Sequence, residues 1–524
     1  MNGLMMDYPL VVRHIAERAA TVFGDREIVS RTQEGIERST YREVAERARR
    51  LASALTAMGI GPGDRVGTFG WNSLRHLELY LAVPSMGAVL HTINIRLFEE
   101  DLRYIVGHAQ DRVIFLDASL ADVMPSFEGV GTEVLMPDGP GERPGALAYE
   151  ELLAGGDPAF AYPDVDENSA AAMCYTSGTT GRPKGVVYSH RSTVLHSLAV
   201  NQADGIGIRE RDTVTPVVPM FHANAWGIPY AAALAGARQA FPGPRMTPAD
   251  IAGLIASERV TLSAGVPTIW QGVLALPDAP DLSSLREILV GGAAVPASLI
   301  QAYDERFGVP IVQGWGMTET SPLASTSRPP GDVELSALEN WRVRATQGRV
   351  QPLVEFRIDE GSGGELQVRG PWVARAYYND HTSDEKFTAD GWLRTGDVAE
   401  LQPGSYIKLV DRTKDLVKSG GEWISSVELE NEIMAHPDVA EAAVIAVPDE
   451  RWGERPCACV VRRPGATLGP ADVLSFLDGR VAKWWLPDRV EFIDEVPKTS
   501  VGKFDKKVLR THFAGSAQAP VQPT

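Results

Sequence analysis

Residues 175–185 read Tyr-Thr-Ser-Gly-Thr-Thr-Gly-Arg-Pro-Lys-Gly, and the organisation of the chain follows from what flanks them. Ala170 to Cys174 enter as an apolar strand, and Val186-Val187 leave as another. The glycines carry no Cβ, so backbone N–H groups can lie against phosphate oxygens. Thr176, Ser177, Thr179 and Thr180 add hydroxyl donors around Gly178 and Gly181. Lys184 adds a mobile positive charge, and Pro183 stiffens the exit. The stretch reads as a triphosphate-binding loop. It is not a Walker A loop, which needs glycine where Pro183 stands. Gly59-Ile60-Gly61 and Gly205-Ile206-Gly207 both lack the third glycine of a dinucleotide fingerprint.

Upstream, residues 1–165 alternate between helical and strand patterns. Tyr41 to Met58 puts Val44, Ala48, Leu51 and Leu55 on one helical face; Arg65 to Phe69 is a short strand. Ser73 to Met86 and Glu99 to Ala109 read as helices, and Ala88 to Thr92 and Val113 to Leu116 as strands. Such alternation predicts parallel pairing through right-handed crossovers. Residues 166–330 form a second α/β unit. Its strands end at Tyr175, Pro219, Ala264, Val290 and Gln313, and three of them lead into conspicuous residues: the loop, Phe221-His222, and Gly314-Trp315-Gly316. Ligands of open α/β sheets sit beyond the carboxyl ends of strands. Residues 331–410 change to a period of two, as in Glu355 to Ile358 and Glu365 to Arg369, which marks a small β-rich unit. Asp411-Arg412-Thr413 is a charged hinge. Residues 414–513 read as a compact α+β unit with a helix over Val427–Met434 and a strand over Ala442–Val447, and the Pro/Ala/Gln-rich residues 514–524 as a disordered tail.

The 524 residues carry 50 Lys+Arg against 68 Asp+Glu, a net charge of −18, which opposes binding to nucleic acid or to anionic lipid. Three cysteines are too few for a disulfide framework, and the ten histidines show no metal spacing. No apolar stretch reaches the ~18–20 residues that span a bilayer, and Arg13, His14, Glu17 and Arg18 interrupt the one N-terminal apolar run. The expectation is a cytoplasmic enzyme.

Three further motifs carry chemistry. Glu319, in Gly314-Trp315-Gly316-Met317-Thr318-Glu319, is a carboxylate beyond a strand end, where one can hold Mg²⁺ against phosphates. Asp397, in Thr395-Gly396-Asp397, can accept hydrogen bonds from both hydroxyls of a ribose. In Lys418-Ser419-Gly420-Gly421-Glu422-Trp423-Ile424, the glycines admit a narrow ligand close to the backbone.

The full string 175–185 resembles the signature phosphate loop of the adenylate-forming superfamily of acyl- and aryl-CoA synthetases, peptide-synthetase adenylation domains and firefly luciferase. The Glu319, Asp397 and Asp411-Arg412 motifs, and Pro497-Lys498-Thr499-Ser500-Val501-Gly502-Lys503, match its other signatures in order, so the resemblance spans nearly the whole chain. It is narrowest toward bacterial medium- and long-chain fatty-acid CoA ligases, through Pro219-Met220-Phe221-His222, Asn224-Ala225-Trp226, Lys418 to Ser426 and Lys483-Trp484.

The resemblance implies a large N-terminal domain of two α/β subdomains plus the β-rich one, hinge-linked to a small mobile α+β domain that rotates about Asp411. It implies ATP, Mg²⁺ and CoA as cofactors, with Glu319 and, more weakly, Thr176 as Mg²⁺ ligands. Asp397 and Arg412 would hold the ribose, and Lys503 would reach the carboxylate and α-phosphate. Gly292, Ala293, Gln313, Gly314, Trp315, Thr318, Lys414, Lys418 and Trp423 would complete the nucleotide contacts, and Ser419, Gly420 and Gly421 would face CoA. Val217, His222, Ala223, Trp226 and Gly291 would line the acyl site, with Trp226 as the gate to an alkyl tunnel and His222 beside the substrate carboxylate. The implied reaction turns a medium- to long-chain fatty acid into acyl adenylate and then acyl-CoA. Alternatives are an aryl or other short hydrophobic acid, a thioether acid, delivery to an acyl-carrier protein, or a silent nucleotide-binding protein. An amino-acid substrate would want a carboxylate near Phe221-His222, and none lies between Val217 and Tyr230. Ala223 stands where larger aliphatics are common, Trp315 where tyrosine is common, and Ser325 to Ala345 is short. A homodimer through N-terminal segments is expected.

Overall fold

The computed structural model describes residues 1, 3–176, 182–362, 364–380, 384–420, 422–499 and 504–513. Four sheets organise them.

The first sheet has seven strands in the order Leu147–Ala148, Thr132–Met136, Asp111–Asp117, Arg65–Phe69, Val89–Thr92, Ala170–Tyr175, Gly185–Ser189. All its pairings are parallel except the last, between the two strands that flank the phosphate loop. The second sheet has nine strands: Arg349–Val350, Leu323–Thr326, Ile311–Gly316, Glu287–Gly291, Leu262–Gly265, Thr213–Pro216, Arg238–Phe241, Glu27–Arg31, Ile36–Thr40. Its centre is parallel and its edges are antiparallel.

The division expected near residue 165 does not coincide with these sheets. Glu27–Arg31 crosses into the second, parallel to Arg238–Phe241, and Ala170–Tyr175 joins the first beside Val89–Thr92. An apolar run states that a strand is buried but not which neighbour it takes, so the exchange has no local signature.

The helices lie where capping chemistry and periodicity put them. Thr40 and Glu43 form a reciprocal box that starts Tyr41–Ala57: Glu43 N donates to Thr40 Oγ1 at 3.3 Å, and Thr40 N to Glu43 Oε2 at 2.9 Å. Ser73 caps Leu74–Ser85, a helix buried along nearly all of its length. Its Tyr80 hydroxyl reaches across to Met220 O, and Tyr230 OH donates back to Tyr80 O at 3.0 Å. This fixes the sheets' separation and the backbone at the start of the expected acyl site. The strand Arg65–Phe69 and the helix Glu99–Ala109 have their expected limits.

Two strands differ from expectation. Thr213–Pro216 stops short of Pro219, because Val217 N and Val218 N both turn onto Ala264 O, at 2.8 and 3.1 Å. Ile311–Gly316 runs past Gln313, held by the antiparallel strand Leu323–Thr326, so Gly314-Trp315-Gly316 ends a strand rather than following one.

The β-rich unit is a four-stranded antiparallel sheet of Glu355–Asp359, Glu365–Arg369, Leu393–Gln402 and Tyr406–Arg412. Asp411 and Arg412 of the expected hinge lie within its last strand. The C-terminal unit is a five-stranded sheet built on the long hairpin Val439–Asp449 and Gly453–Arg462, with helices Ser426–Met434, Pro470–Leu477 and Lys506–Phe513. The 514–524 tail lies outside the described residues.

Candidate active site

A cleft runs along the strand ends where the first two sheets, the β-rich sheet and the C-terminal unit meet. It holds two cavities, of about 300 and about 290 Å³, that share Gly292, Gly314, Trp315, Gly316, Arg412 and Lys414.

The phosphate loop is pinned at its base. Thr176 N donates to Lys184 O at 2.9 Å, and Lys184 N donates to Thr176 Oγ1 at 3.2 Å. Ser177, Gly178, Thr179, Thr180 and Gly181 lie outside the described residues. Lys184 Nζ is 3.7 Å from Asp380 Oδ2 and 5.1 Å from the centre of the Tyr377 ring. The Tyr377 hydroxyl donates to Glu319 Oε1 at 2.5 Å, while Ala374 N donates to Glu319 O at 2.7 Å. Glu319 is buried. Burial, reinforced by Glu319, pushes the Tyr377 phenol far up, so it stays a hydrogen-bond donor. With Tyr377 on one oxygen, the second Glu319 oxygen is left for a cation. Mg²⁺ is commonly held by one or two carboxylates plus substrate phosphates, so Glu319 beside Thr176 fits that ion. Among the described residues no group of three or more His, Cys, Asp or Glu side chains gathers as an all-protein cage.

Across the cleft, Asp397 is buried and held on both oxygens. Arg412 Nε is 2.9 Å from Oδ1, and Trp315 Nε1 donates to Oδ2 at 3.0 Å. Asp397 N donates to Thr395 Oγ1 at 3.1 Å, and Gly396 N to Glu365 Oε1 at 3.0 Å. Asp397 raises the Arg412 pKa, whereas burial lowers that of Lys414. Gln313 and Ala293 line the second cavity, where Gln313 Oε1 accepts from Val295 N at 2.9 Å. Gly292 borders both cavities with φ +81°, a conformation that favours glycine. Thr318 is anchored through its carbonyl, which accepts from Tyr188 OH at 2.8 Å.

The apolar end of the first cavity is formed by His222, Trp226, Leu289, Gly291 and Leu323. A Cβ on Gly291 would stand 2.6 Å from Gly314 O of the neighbouring strand and 3.3 Å from the Trp226 indole, so glycine there serves the close strand pairing first and leaves the ring its place second. Trp226 is carried on an unusual backbone. Ala223, Asn224, Ala225 and Trp226 have φ of 43°, 52°, 50° and 57°, a full left-handed turn completed by Gly227 at 71°. Non-glycine residues pay about 1–2 kcal/mol each for that conformation, so surrounding structure has to impose it. The Asn224 side chain is tied to Cys174 Sγ at 3.2 Å, and a Cβ on Gly227 would run into His196 at 2.6 Å. Two expected lining residues stand outside both linings: Val217 packs with Ile251 and Trp270, and Ala223 packs with Val218 and Ile228 in the cluster that also holds Trp226.

At the hinge, Asp411 Oδ2 accepts from Ser426 N at 2.7 Å and Ser426 Oγ at 2.6 Å, and Oδ1 accepts from Arg412 N at 2.7 Å. Burial raises the Asp411 pKa against the pull of Lys506. Lys506 lies 2.7 Å from Glu430, and Arg510 of the same helix pairs with Asp415. Lys503 lies outside the described residues, as does Gly421. Its flanks are described: Lys498 and Phe504 pair antiparallel, and Thr499 and Phe504 border the second cavity beside Asp397 and Arg412. Lys418 and Trp423 stand elsewhere, stacked 5.4 Å apart on the C-terminal unit and outside both cavity linings, because the antiparallel pairing of Val417–Ser419 with Glu422–Ile424 places them side by side on an exposed face. Ser419 Oγ accepts from Arg455 at 3.0 Å, and Gly420 turns with φ +60° against Trp452. Tyr377 escaped the sequence reading; the only local signal is its place in Arg375-Ala376-Tyr377-Tyr378, which has no spacing relation to Glu319.

Residues 16–378 match the family described as AMP-binding enzyme, and residues 428–503 the AMP-binding enzyme C-terminal domain. The chain is 46% identical to a 3-methylmercaptopropionyl-CoA ligase of Ruegeria lacuscaerulensis, over 98% of this chain and 99% of that one. It is 47% identical to a long-chain-fatty-acid–CoA ligase of Thermus thermophilus, over 97% and 96%. Among solved structures, an anthranilate CoA ligase in complex with anthranoyl-AMP superposes with a TM-score of 0.87 at 25% identity, over 97% of this chain and 98% of that one.

Proposed function

The chain belongs to the AMP-binding enzyme family and is an acid–thiol ligase that uses ATP, Mg²⁺ and CoA, and on that premise we propose that its acid is an unbranched aliphatic one of medium to long chain. The observation that carries this is the apolar end of the first cavity, where Trp226, Leu289 and Leu323 face Gly291 with His222 beside them. A longer tail passes by displacing one indole.

In the first half-reaction the substrate carboxylate attacks the α-phosphorus of ATP, forms the acyl–phosphate bond and expels pyrophosphate. A carboxylic acid with a pKa near ~4 is already ionised, so no general base is needed. Alignment and charge neutralisation do the work. Asp397 holds the ribose hydroxyls with Arg412 behind it, Lys184 and the loop N–H groups take the phosphates, and His222 borders the carboxylate. Mg²⁺ on Glu319 and Thr176 would offset charge on the departing phosphates. Lys503 is the second cation at the α-phosphate. In the second half-reaction the CoA thiol displaces AMP after the C-terminal unit turns about Asp411 and brings Gly420-Gly421 to the site.

Pyrophosphate release across C4–C18 acids, benzoate and 3-(methylthio)propionate, with AMP measured with and without CoA, tests the reading. Highest kcat/KM on straight-chain acids of medium or greater length supports it; a preference for the aromatic acid, or for acids of four carbons or fewer, overturns it. A second reading, a short thioether acid, is favoured by the Ruegeria relative. Substitution of holo-acyl-carrier protein for CoA distinguishes the alternative acceptor. A homodimer is proposed from the exposed Leu4, Met5, Met6 and Tyr8 of the N-terminal arm, and sedimentation of a variant lacking them tests it.

A further inference from the structure

We propose that Trp315 is a positioning residue that sets the ribose selectivity of this ligase by fixing the Asp397 carboxylate from the side opposite Arg412. The inference rests on the reading above that Asp397 receives the ribose.

Trp315 sits where the register of Ile311–Gly316 against Leu323–Thr326 shifts, between Trp315 and Gly316. The shift re-aims its side chain out of the second sheet and into the apolar cluster of the β-rich sheet, among Leu366, Val368, Leu393 and Ile407. The ring is therefore locked by packing, and it is buried. Its one polar atom, Nε1, meets Asp397 Oδ2 at 3.0 Å, a contact between residues from two different sheets. The ring also borders both cavities of the cleft.

A carboxylate offers about four acceptor directions over its two oxygens, so the way they are shared decides what it can still hold. Arg412 takes one direction on Oδ1 and Trp315 one on Oδ2. One direction per oxygen remains, and the plane of the group is fixed by donors at both ends. Two acceptors held at fixed spacing suit two adjacent hydroxyls. Without the indole N–H the group pivots on Arg412 and favours neither arrangement. The indole N–H thus acts through Asp397, and the effect of deleting it falls on the ribose.

The test is equilibrium binding of ATP, 2′-deoxy-ATP and 3′-deoxy-ATP, with Mg²⁺ and no acid, to the full-length protein, to Trp315→Phe, and to protein carrying β-(3-benzothienyl)alanine at 315. The last keeps the bicyclic shape and deletes only the N–H, so it covers the case in which Trp315→Phe fails to fold. The wild-type protein is expected to prefer ATP over each deoxy analogue by about tenfold or more, as loss of a hydrogen bond to a charged group implies. Both variants should cut that preference several-fold, and the benzothienyl variant, which keeps the ring, should change binding of the deoxy analogues less than about twofold. Equal weakening of all three nucleotides, or an unchanged preference, would overturn the role of Trp315. A wild-type protein with no preference for ATP would remove the ribose role of Asp397, and the proposal with it.

Discussion

The two walls of the cleft are built by opposite means. On the nucleotide wall the side chains that matter are charged or polar, and each has a fixed partner: Asp397 has Arg412 and Trp315, Glu319 has Tyr377, and Lys184 has Asp380. On the acyl wall the side chains make few polar contacts, and the backbone carries the constraint as a left-handed turn over Ala223–Trp226. Polar groups placed in low dielectric lose much when a partner goes, because the remaining group is left desolvated. An apolar wall loses in proportion to area and to how well it can collapse. Substitutions on the first wall should therefore act on nucleotide use at all chain lengths, and those on the second on chain length and stability.

The largest expected effect lies on the nucleotide side. Lys503→Ala should abolish pyrophosphate release yet largely spare thioester formation from supplied acyl adenylate; equal losses in the two half-reactions would break the assignment. Next, Asp397→Ala should lower kcat/KM for ATP by about 3–4 kcal/mol, the value of two hydrogen bonds to a charged group, without altering the order of preferred acids. A shift in that order would show that the walls are coupled.

How far each wall was legible before the structure follows from the same contrast. Lys184, Glu319, Asp397 and Arg412 stand in short motifs whose residue types are dictated by phosphate, cation and ribose, so the string of letters carries them. Tyr377 does not, since a tyrosine in Arg375-Ala376-Tyr377-Tyr378 reads equally well as core or surface, and its bond to Glu319 closes over 58 residues. Nor does the Trp315–Asp397 bond, made across two sheets. On the acyl wall, Trp226 was legible by resemblance alone. Val217 and Ala223 fell outside the lining for different reasons: Val217 sits where the chain turns onto Ala264 O, and Ala223 opens the left-handed turn, through which periodicity cannot follow a side chain. The exchange of strands between the first two sheets left no trace in either half.

The acid limit of stability is the third test, and it probes the acyl side through His196. This histidine accepts from Leu323 N at 3.1 Å and abuts Gly227. Burial lowers its pKa to about 3, and those of His76 and His190 to about 4. Unfolded, each binds a proton near pH ~6.5, so below that pH the unfolded chain takes up more protons than the folded one. Stability should fall as pH drops from about 6.5 toward 4, and His196→Gln should remove about 1.4 kcal/mol per pH unit of that slope in denaturant titrations. An unchanged slope would mean that His196 takes up its proton in the fold at the same pH as in the unfolded chain.

The smallest effect is the most specific to the acyl wall. Ala232 lies in the right-handed helix Ile228–Ala235, where glycine costs about 1 kcal/mol relative to alanine. Ala225 lies in the left-handed turn, where glycine relieves about as much. Since both alanines are fully buried, Ala225→Gly should be the milder change by about 2 kcal/mol in thermal or chemical unfolding. Equal destabilisation would argue that the turn is not strained.

The pairing of Glu27–Arg31 with Arg238–Phe241 has a consequence for how the protein is made. As the polypeptide leaves the ribosome, its first hairpin has no permanent berth until nearly half of the enzyme has been translated. Closing so long a loop is slow, and an unpaired strand edge is open to other chains meanwhile. The amino-terminal residues are thus the earliest synthesised yet wait about two hundred residues for their partner, and a chain truncated before residue 238 should be a client of chaperones and not a smaller enzyme.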